Sequence, residues 1–125
     1  TYIQTMTGGQ IKDVLEDICD NLFNPDPYYQ QGGDMVRVGG LAYTCDPKAA
    51  SGKRISNMML KGKTIEADKT YKVAGWAPVA EEAKSAGNKL VWDVVEQWLK
   101  AKGRVAPRRI NTPKLIGVQG NPGLV

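Results

Sequence analysis

A glycine-bounded segment, residues 32–40 with the sequence GGDMVRVGG, is the part of this chain best suited to hold an anion. The glycine pairs at its ends permit positive φ or a close approach of the backbone to another group. Arg37 lies between them, and its guanidinium offers a permanently charged, planar fork of donors for phosphate, sulfate or carboxylate oxygens. We therefore predict that Arg37 binds an oxyanion. The alternative is an ordinary strand over residues 34–38, with Arg37 solvated.

Other side chains could complete a binding surface around this arginine. Tyr28 and Tyr29 belong to a polar, proline-stiffened loop, in which they either line a binding surface or pack against the domain. No residue of this chain is predicted to be catalytic. The predicted substrate-binding residues are Tyr28, Gly33, Asp34, Met35, Arg37 and Trp76.

The composition argues against a self-sufficient hydrolase. The chain has no histidine, which is the usual general base at neutral pH and the commonest metal ligand. Two widely separated cysteines cannot form a zinc site unaided, and no acidic loop of the EF-hand type is present. We therefore expect this chain to bind no metal and to be inactive alone.

Length and charge set further limits. A chain of 125 residues, 42% apolar, suits one globular domain over residues 1–125, with an extended tail over residues 104–125. No apolar run approaches the roughly 18 residues that span a bilayer, and no signal segment stands at the start. Because the chain starts at Thr1 without a methionine, we expect it to be a piece of a longer protein. Its net charge of +4 is too scattered for a nucleic-acid footprint.

Hydrophobic periodicity predicts the elements that position these residues. A strand over residues 1–6 leads to Thr7, which with Gln10 fits a capping box for a helix ending near Leu22. A meander of short strands follows over residues 41–45, 54–60 and 71–74, with turns at Asp46-Pro47 and at residues 61–63. Helices are predicted over residues 79–86 and 90–102, and the tryptophans of the second are assigned to the core. This order predicts an α+β domain with a mixed or antiparallel sheet and flanking helices.

Three segments carry a resemblance to a known family. Residues 7–16 (TGGQIKDVLE), 36–47 (VRVGGLAYTCDP) and 52–55 (GKRI) keep the order and spacing of motifs in the C-terminal domain of the 5′-nucleotidase family. This chain departs from the nucleotide clamp of that family at two places. Met35 stands at or near the position of the first clamping aromatic, and the segment after Trp76 lacks the G-G-D-G pattern. Residues 24–40 and 110–123 resemble the SoxB branch of the family, the thiosulfohydrolases of bacterial sulfur oxidation.

The resemblance implies a two-domain periplasmic enzyme. Its N-terminal metallophosphoesterase domain holds two manganese ions, and its C-terminal domain covers the substrate, a cysteine-S-thiosulfonate on the SoxYZ carrier protein, from which sulfate is released. Relatives carry a buried aromatic where Cys45 stands, and Cys19 continues an apolar helix face, so both cysteines are predicted to be buried thiols, although a periplasmic setting permits a disulfide. Two alternatives stay open: a nucleotide-binding domain of a 5′-nucleotidase, and a non-enzymatic basic interaction module.

Overall fold

The computed structural model describes residues 1–24, 26–30, 38–75, 87–106 and 113–118. The chain forms two compact units, one of residues 1–6 and 70–109 and the other of residues 7–69 and 110–125. The elements in chain order are β1 (Tyr2–Thr7), α1 (Gly8–Phe23), a 3-10 turn (Pro27–Tyr29), β2 (Leu41–Cys45), β3 (Ile55–Leu60), β4 (Lys63–Thr64), β5 (Thr70–Gly75), α2 (Val91–Lys102) and β6 (Lys114–Leu115). The predicted α+β class with mixed pairing is confirmed.

Helix α1 begins at the predicted capping box. The Thr7 side chain accepts a hydrogen bond from the Gln10 amide at 3.1 Å, and the Gln10 side chain accepts one from the Thr7 amide at 2.8 Å. Both bonds satisfy donors that the first turn of a helix otherwise leaves unpaired. Gly8 lies so close to the backbone of Glu66 that a side chain there has no room, so the start of α1 packs tightly against residues 65–67.

The larger unit contains a four-stranded sheet in the order β4-β3-β2-β6. Strands β2, β3 and β4 form an antiparallel meander, of which only the succession of β2 and β3 was predicted, and β6 pairs with β2 in parallel. Lys114 and Leu115 of β6 lie within the extended tail that was predicted over residues 104–125. The core of this unit lies between α1 and the sheet; its buried residues are Leu15, Cys19, Tyr43, Cys45, Ile55 and Met58.

The smaller unit contains a two-stranded sheet of β1 and β5 and the helix α2. Strand β5 was expected to continue the meander, but it pairs with β1, which is remote in sequence. Helix α2 ends as predicted at Gly103, which has a φ of 67° that suits glycine. The assignment of its tryptophans to the core is wrong: Trp92 is 63% exposed and Trp98 44%, because no described element covers them. The predicted helix at 79–86 lies outside the described residues.

Candidate functional site

The connection between α1 and β2, residues 24–40, contains five of the six predicted substrate-binding residues. Gly33, Asp34, Met35 and Arg37 lie outside the part of the chain that the structure describes, as does Trp76, the one predicted residue beyond this connection. Tyr28 is described. The structure therefore defines the two ends of the connection and the elements that hold them, and the role of Arg37 stays a prediction.

The first end of the connection is a tightly hydrogen-bonded turn. The Asn24 side chain accepts from the Asp26 amide at 3.0 Å, and the Asp26 side chain accepts from the Tyr28 amide at 2.9 Å. The Gln30 side chain donates to the Asn24 carbonyl at 2.7 Å and closes the turn from the other side. Asparagine and aspartate favour such local bonds in turns, and Pro27 fixes one more φ angle. The turn is thus held by its own polar groups.

This turn presents two aromatic rings to solvent. Tyr28 is 86% exposed and Tyr29 is 56% exposed, so the alternative in which these tyrosines pack into the domain is wrong for Tyr28. Their ring centroids lie 5.4 Å apart with the planes at 88°, an edge-to-face pair. An exposed phenol offers a flat apolar face together with a hydroxyl that donates or accepts a hydrogen bond. Tyr28 is therefore available to contact another molecule or domain.

The second end of the connection enters β2 through Val38, Gly39 and Gly40. Val38 packs against the hydrophobic core, and Gly40 adopts a φ of +85°, a conformation that favours glycine. The glycine freedom predicted for this segment is thus used at Gly40. The second end of the connection is therefore anchored to the core at Val38.

A disulfide between Cys19 and Cys45 joins the two elements that flank the connection. Their Cα atoms lie 6.8 Å apart, and each residue is only 3% exposed. The prediction of two buried thiols is therefore wrong: both side chains are buried as expected, but their sulfur atoms are bonded to each other, because the fold brings Cys19 of α1 next to Cys45 of β2. Cys19 lies in the last turns of α1 and Cys45 ends β2, so the bond limits how far the two flanks of the connection can separate.

A buried carboxylate, Glu16, fixes α1 to the chain that enters β3. Its oxygens accept hydrogen bonds from the amides of Gly52 at 3.1 Å, Arg54 at 3.2 Å and Ile55 at 2.8 Å. The Arg54 guanidinium in turn pairs with Asp20 of α1 at 2.8 Å. Hydrogen bonds to a charged acceptor are stronger than neutral ones, so this contact holds α1 on the sheet.

Sequence reasoning missed Glu16 as an anchor, because helical spacing groups it with Lys12, Asp13 and Asp20 on the polar face of α1. The signal that could have found it is its place as the last residue of the TGGQIKDVLE segment, which precedes GKRI in the same motif set. The GKRI segment therefore has a structural role, since its backbone amides bind Glu16. Tyr43 of the same motif set is buried, and burial raises the pKa of its hydroxyl above the ordinary value.

Among the described residues, no group of three or more His, Cys, Asp or Glu side chains could hold a metal ion. The described helices also include none that is long and apolar enough to span a membrane.

Comparison with known proteins identifies the family. Residues 1–86 match the family model described as 5′-nucleotidase, C-terminal domain, and the chain belongs to that family. No curated protein sequence matches the chain significantly.

The solved structures that are similar to this chain include a SoxB protein and a 5′-nucleotidase. Sulfate thiohydrolase SoxB from Thermus thermophilus, solved with glycerol, is 38% identical over 93% of this chain, with a TM-score of 0.79. A putative 5′-nucleotidase from Staphylococcus aureus, solved with α-ketoglutarate, is 17% identical over 91% of the chain, with a TM-score of 0.58, and supports the fold alone. The chain spans 22% of the SoxB chain and 26% of the nucleotidase chain.

Proposed function

We propose that this chain is the substrate-covering C-terminal domain of a two-domain thiosulfohydrolase of the SoxB type. The observation that carries the proposal is the 38% identity to SoxB over 93% of the chain, against 17% for the 5′-nucleotidase. The proposed enzyme releases sulfate from a cysteine-S-thiosulfonate on the SoxYZ carrier protein. It acts in the periplasm, and the Cys19–Cys45 disulfide supports an oxidising compartment of that kind.

The proposed reaction is hydrolysis of the sulfur–sulfur bond beside the sulfonate. An oxygen of water forms a bond to the sulfonate sulfur, the bond to the neighbouring sulfur breaks, and the products are sulfate, a proton and a cysteine persulfide on the carrier. Two manganese ions, held by the N-terminal metallophosphoesterase domain, would supply an activated water. The described residues of this chain offer no ligand cluster for such ions, so the proposal assigns the ions to the other domain.

This chain's own contribution is to bind and orient the substrate. Arg37 donates to the sulfonate oxygens and balances their negative charge, and the glycines on both sides leave room for the approach. Tyr28, on its hydrogen-bonded turn, offers an exposed ring to the carrier arm. Gly33, Asp34, Met35 and Trp76 complete the proposed walls. A fixed cation aimed at developing charge in a water-excluded site is the kind of contact that lowers an activation barrier.

The test is steady-state sulfate release from the carrier conjugate by full-length variants with matched metal content. Arg37→Ala is expected to lower kcat/KM by on the order of 10²-fold or more, because a charge-assisted contact in a desolvated site is lost. Arg37→Lys is expected to recover part of that loss, since an ammonium keeps the charge but not the planar fork. Lys63→Ala, at an exposed cation on β4, is the matched control and should leave kcat/KM unchanged. An unchanged kcat/KM in the Arg37→Ala variant would contradict the substrate-binding role of Arg37 and favour the alternative, in which Arg37 is a solvated strand residue.

A nucleotide-binding role is the second candidate, favoured by the family model that the chain matches. It predicts a measurable affinity of the full-length enzyme for AMP. On the thiosulfohydrolase proposal, AMP binds weakly, because Met35 and the segment after Trp76 depart from the nucleotide clamp. A calorimetric binding free energy of about −8 kcal/mol or better, which corresponds to a low-micromolar constant, would favour the nucleotidase role.

A further inference from the structure

Helix α2 has an amphipathic pattern whose apolar face is uncovered. Val94, Val95, Trp98 and Leu99 lie on one side of the helix at helical spacing and are 37 to 48% exposed. The opposite side carries Gln97 and the ion pair between Glu96 and Lys100 at 2.6 Å. Apolar side chains exposed together on one face, unlike apolar side chains scattered singly over a surface, are typical of an interaction site. The apolar face of α2 is therefore a candidate contact surface.

A cleft continues this face at the end of the helix. Gly103 adopts a positive φ at the end of α2, and the Arg104 amide donates to the Lys102 carbonyl at 2.8 Å. The turn sets residues 104–106 beside Trp98 and forms a cleft of about 220 Å³, lined by Trp98, Lys102, Arg104, Val105 and Ala106. The described part of the chain provides no acidic partner for Lys102 or Arg104. The cleft thus combines an apolar wall with two available cations.

The stability of α2 depends on packing of its apolar face against another part of the protein. A helix of 12 residues is marginal in water by itself, and most helical stability in proteins comes from packing of the apolar face. No residue of α2 is buried in the structure described here. Val94, Val95, Trp98 and Leu99 therefore lack the packing that their pattern is suited to make.

We propose that the apolar face of α2 and its terminal cleft bind the other domain of the same polypeptide, through an apolar segment that carries a carboxylate. The proposal rests on the proposed two-domain enzyme. The similar SoxB and nucleotidase chains extend well beyond the matched region, which is 22% and 26% of their lengths. A tethered domain has a high effective concentration, so it can use an interface smaller than the roughly 1,200 Å² that a stable complex of separate chains needs.

Photo-cross-linking in the full-length enzyme tests this interface. The photo-reactive residue p-benzoylphenylalanine replaces Val95 on the apolar face or, as a matched control, Gln97 on the opposite face. After irradiation, we expect the Val95 variant to form an intramolecular adduct at monomer mass, joined to a peptide outside residues 1–125, and the Gln97 variant to form none. The double substitution Lys102→Glu with Arg104→Glu is expected to lower the adduct yield at least threefold, whereas Lys72→Glu leaves the yield unchanged.

Each other outcome overturns the proposal. An adduct within residues 1–125 means that this chain covers its own helix, and an adduct at dimer mass means that a second copy does. No adduct from position 95 means that the apolar face of α2 stays in water. An unchanged adduct yield in the double variant means that no carboxylate of the other domain pairs with Lys102 or Arg104. The same preparations are assayed for sulfate release: cross-linking without sulfate release contradicts only the proposed reaction, and sulfate release without cross-linking contradicts only the interface.

Discussion

Removing the Cys19–Cys45 bond is the most informative perturbation of the larger unit. The bond joins residues separated by 26 positions in the sequence. In the loop-closure model, a cross-link of that span stabilises the folded state by about 3.5 kcal/mol at 25 °C, because it restricts the unfolded chain. Small domains are stable by only about 5 to 15 kcal/mol, so this one bond supplies a large share.

Urea unfolding of the 125-residue chain measures this contribution. The oxidised chain is compared with the same chain under a reducing agent and with Cys19→Ala/Cys45→Ala. Reduction alone is expected to lower the free energy of unfolding by about 3 to 4 kcal/mol. The double variant should lose somewhat more, since two buried sulfur atoms are also removed. Equal stability of the oxidised and reduced chains, or free thiols detected in the unreduced protein, would refute the bond and its role in joining α1 to β2.

Three further substitutions test packing and titration. Glu16→Gln is expected to lower the free energy of unfolding by about 1 to 3 kcal/mol, because three backbone amides lose a charged acceptor. The control Asp13→Asn, at an exposed position of the same helix, should change it by less than about 0.5 kcal/mol. Equal effects of the two substitutions in urea unfolding would contradict the anchoring role of Glu16. Gly8→Ala should cost about 1 to 3 kcal/mol, since its Cβ meets backbone that cannot move, and Gly9→Ala should be tolerated; tolerance of both would argue against the tight packing. Burial raises the pKa of Tyr43 in the folded protein. The buried neutral phenol therefore stabilises the fold fully below the tyrosine pKa of the unfolded chain, which is about 10, and this stabilisation is lost as the pH rises through the pKa of Tyr43 in the folded protein. Unfolding measured from pH 8 to 11 should therefore show a steeper loss of stability in the wild type than in Tyr43→Phe, and parallel curves would show that Tyr43 titrates normally.

Local signals in the sequence predicted most of the individual elements. The capping box at Thr7 and Gln10, the helix α1 and the strand β2 depend on residues close in sequence, and each is confirmed. The pairing of β5 with β1 and of β6 with β2 was not predicted, because pairing partners remote in sequence leave no local pattern.

The candidate site shows the same division. Glycine freedom was correctly expected before β2, and it is used at Gly40. The disulfide was missed because the spacing of two cysteines does not reveal how close two elements pack. Glu16 was assigned to the polar face because periodicity cannot show that three amides will meet a carboxylate. The assignment of Arg37 to the substrate stays a prediction, since it lies outside the described residues.

The measurement that tests the proposed function most directly is a comparison of two reactions in one preparation of the full-length, metal-loaded enzyme. Sulfate release from the SoxYZ cysteine-S-thiosulfonate and phosphate release from AMP are followed under identical conditions, and kcat/KM is determined for each. We predict that kcat/KM for sulfate release exceeds that for phosphate release by at least 10²-fold, which corresponds to a difference of about 3 kcal/mol in transition-state binding. A higher kcat/KM for AMP would contradict the thiosulfohydrolase proposal and establish a nucleotidase.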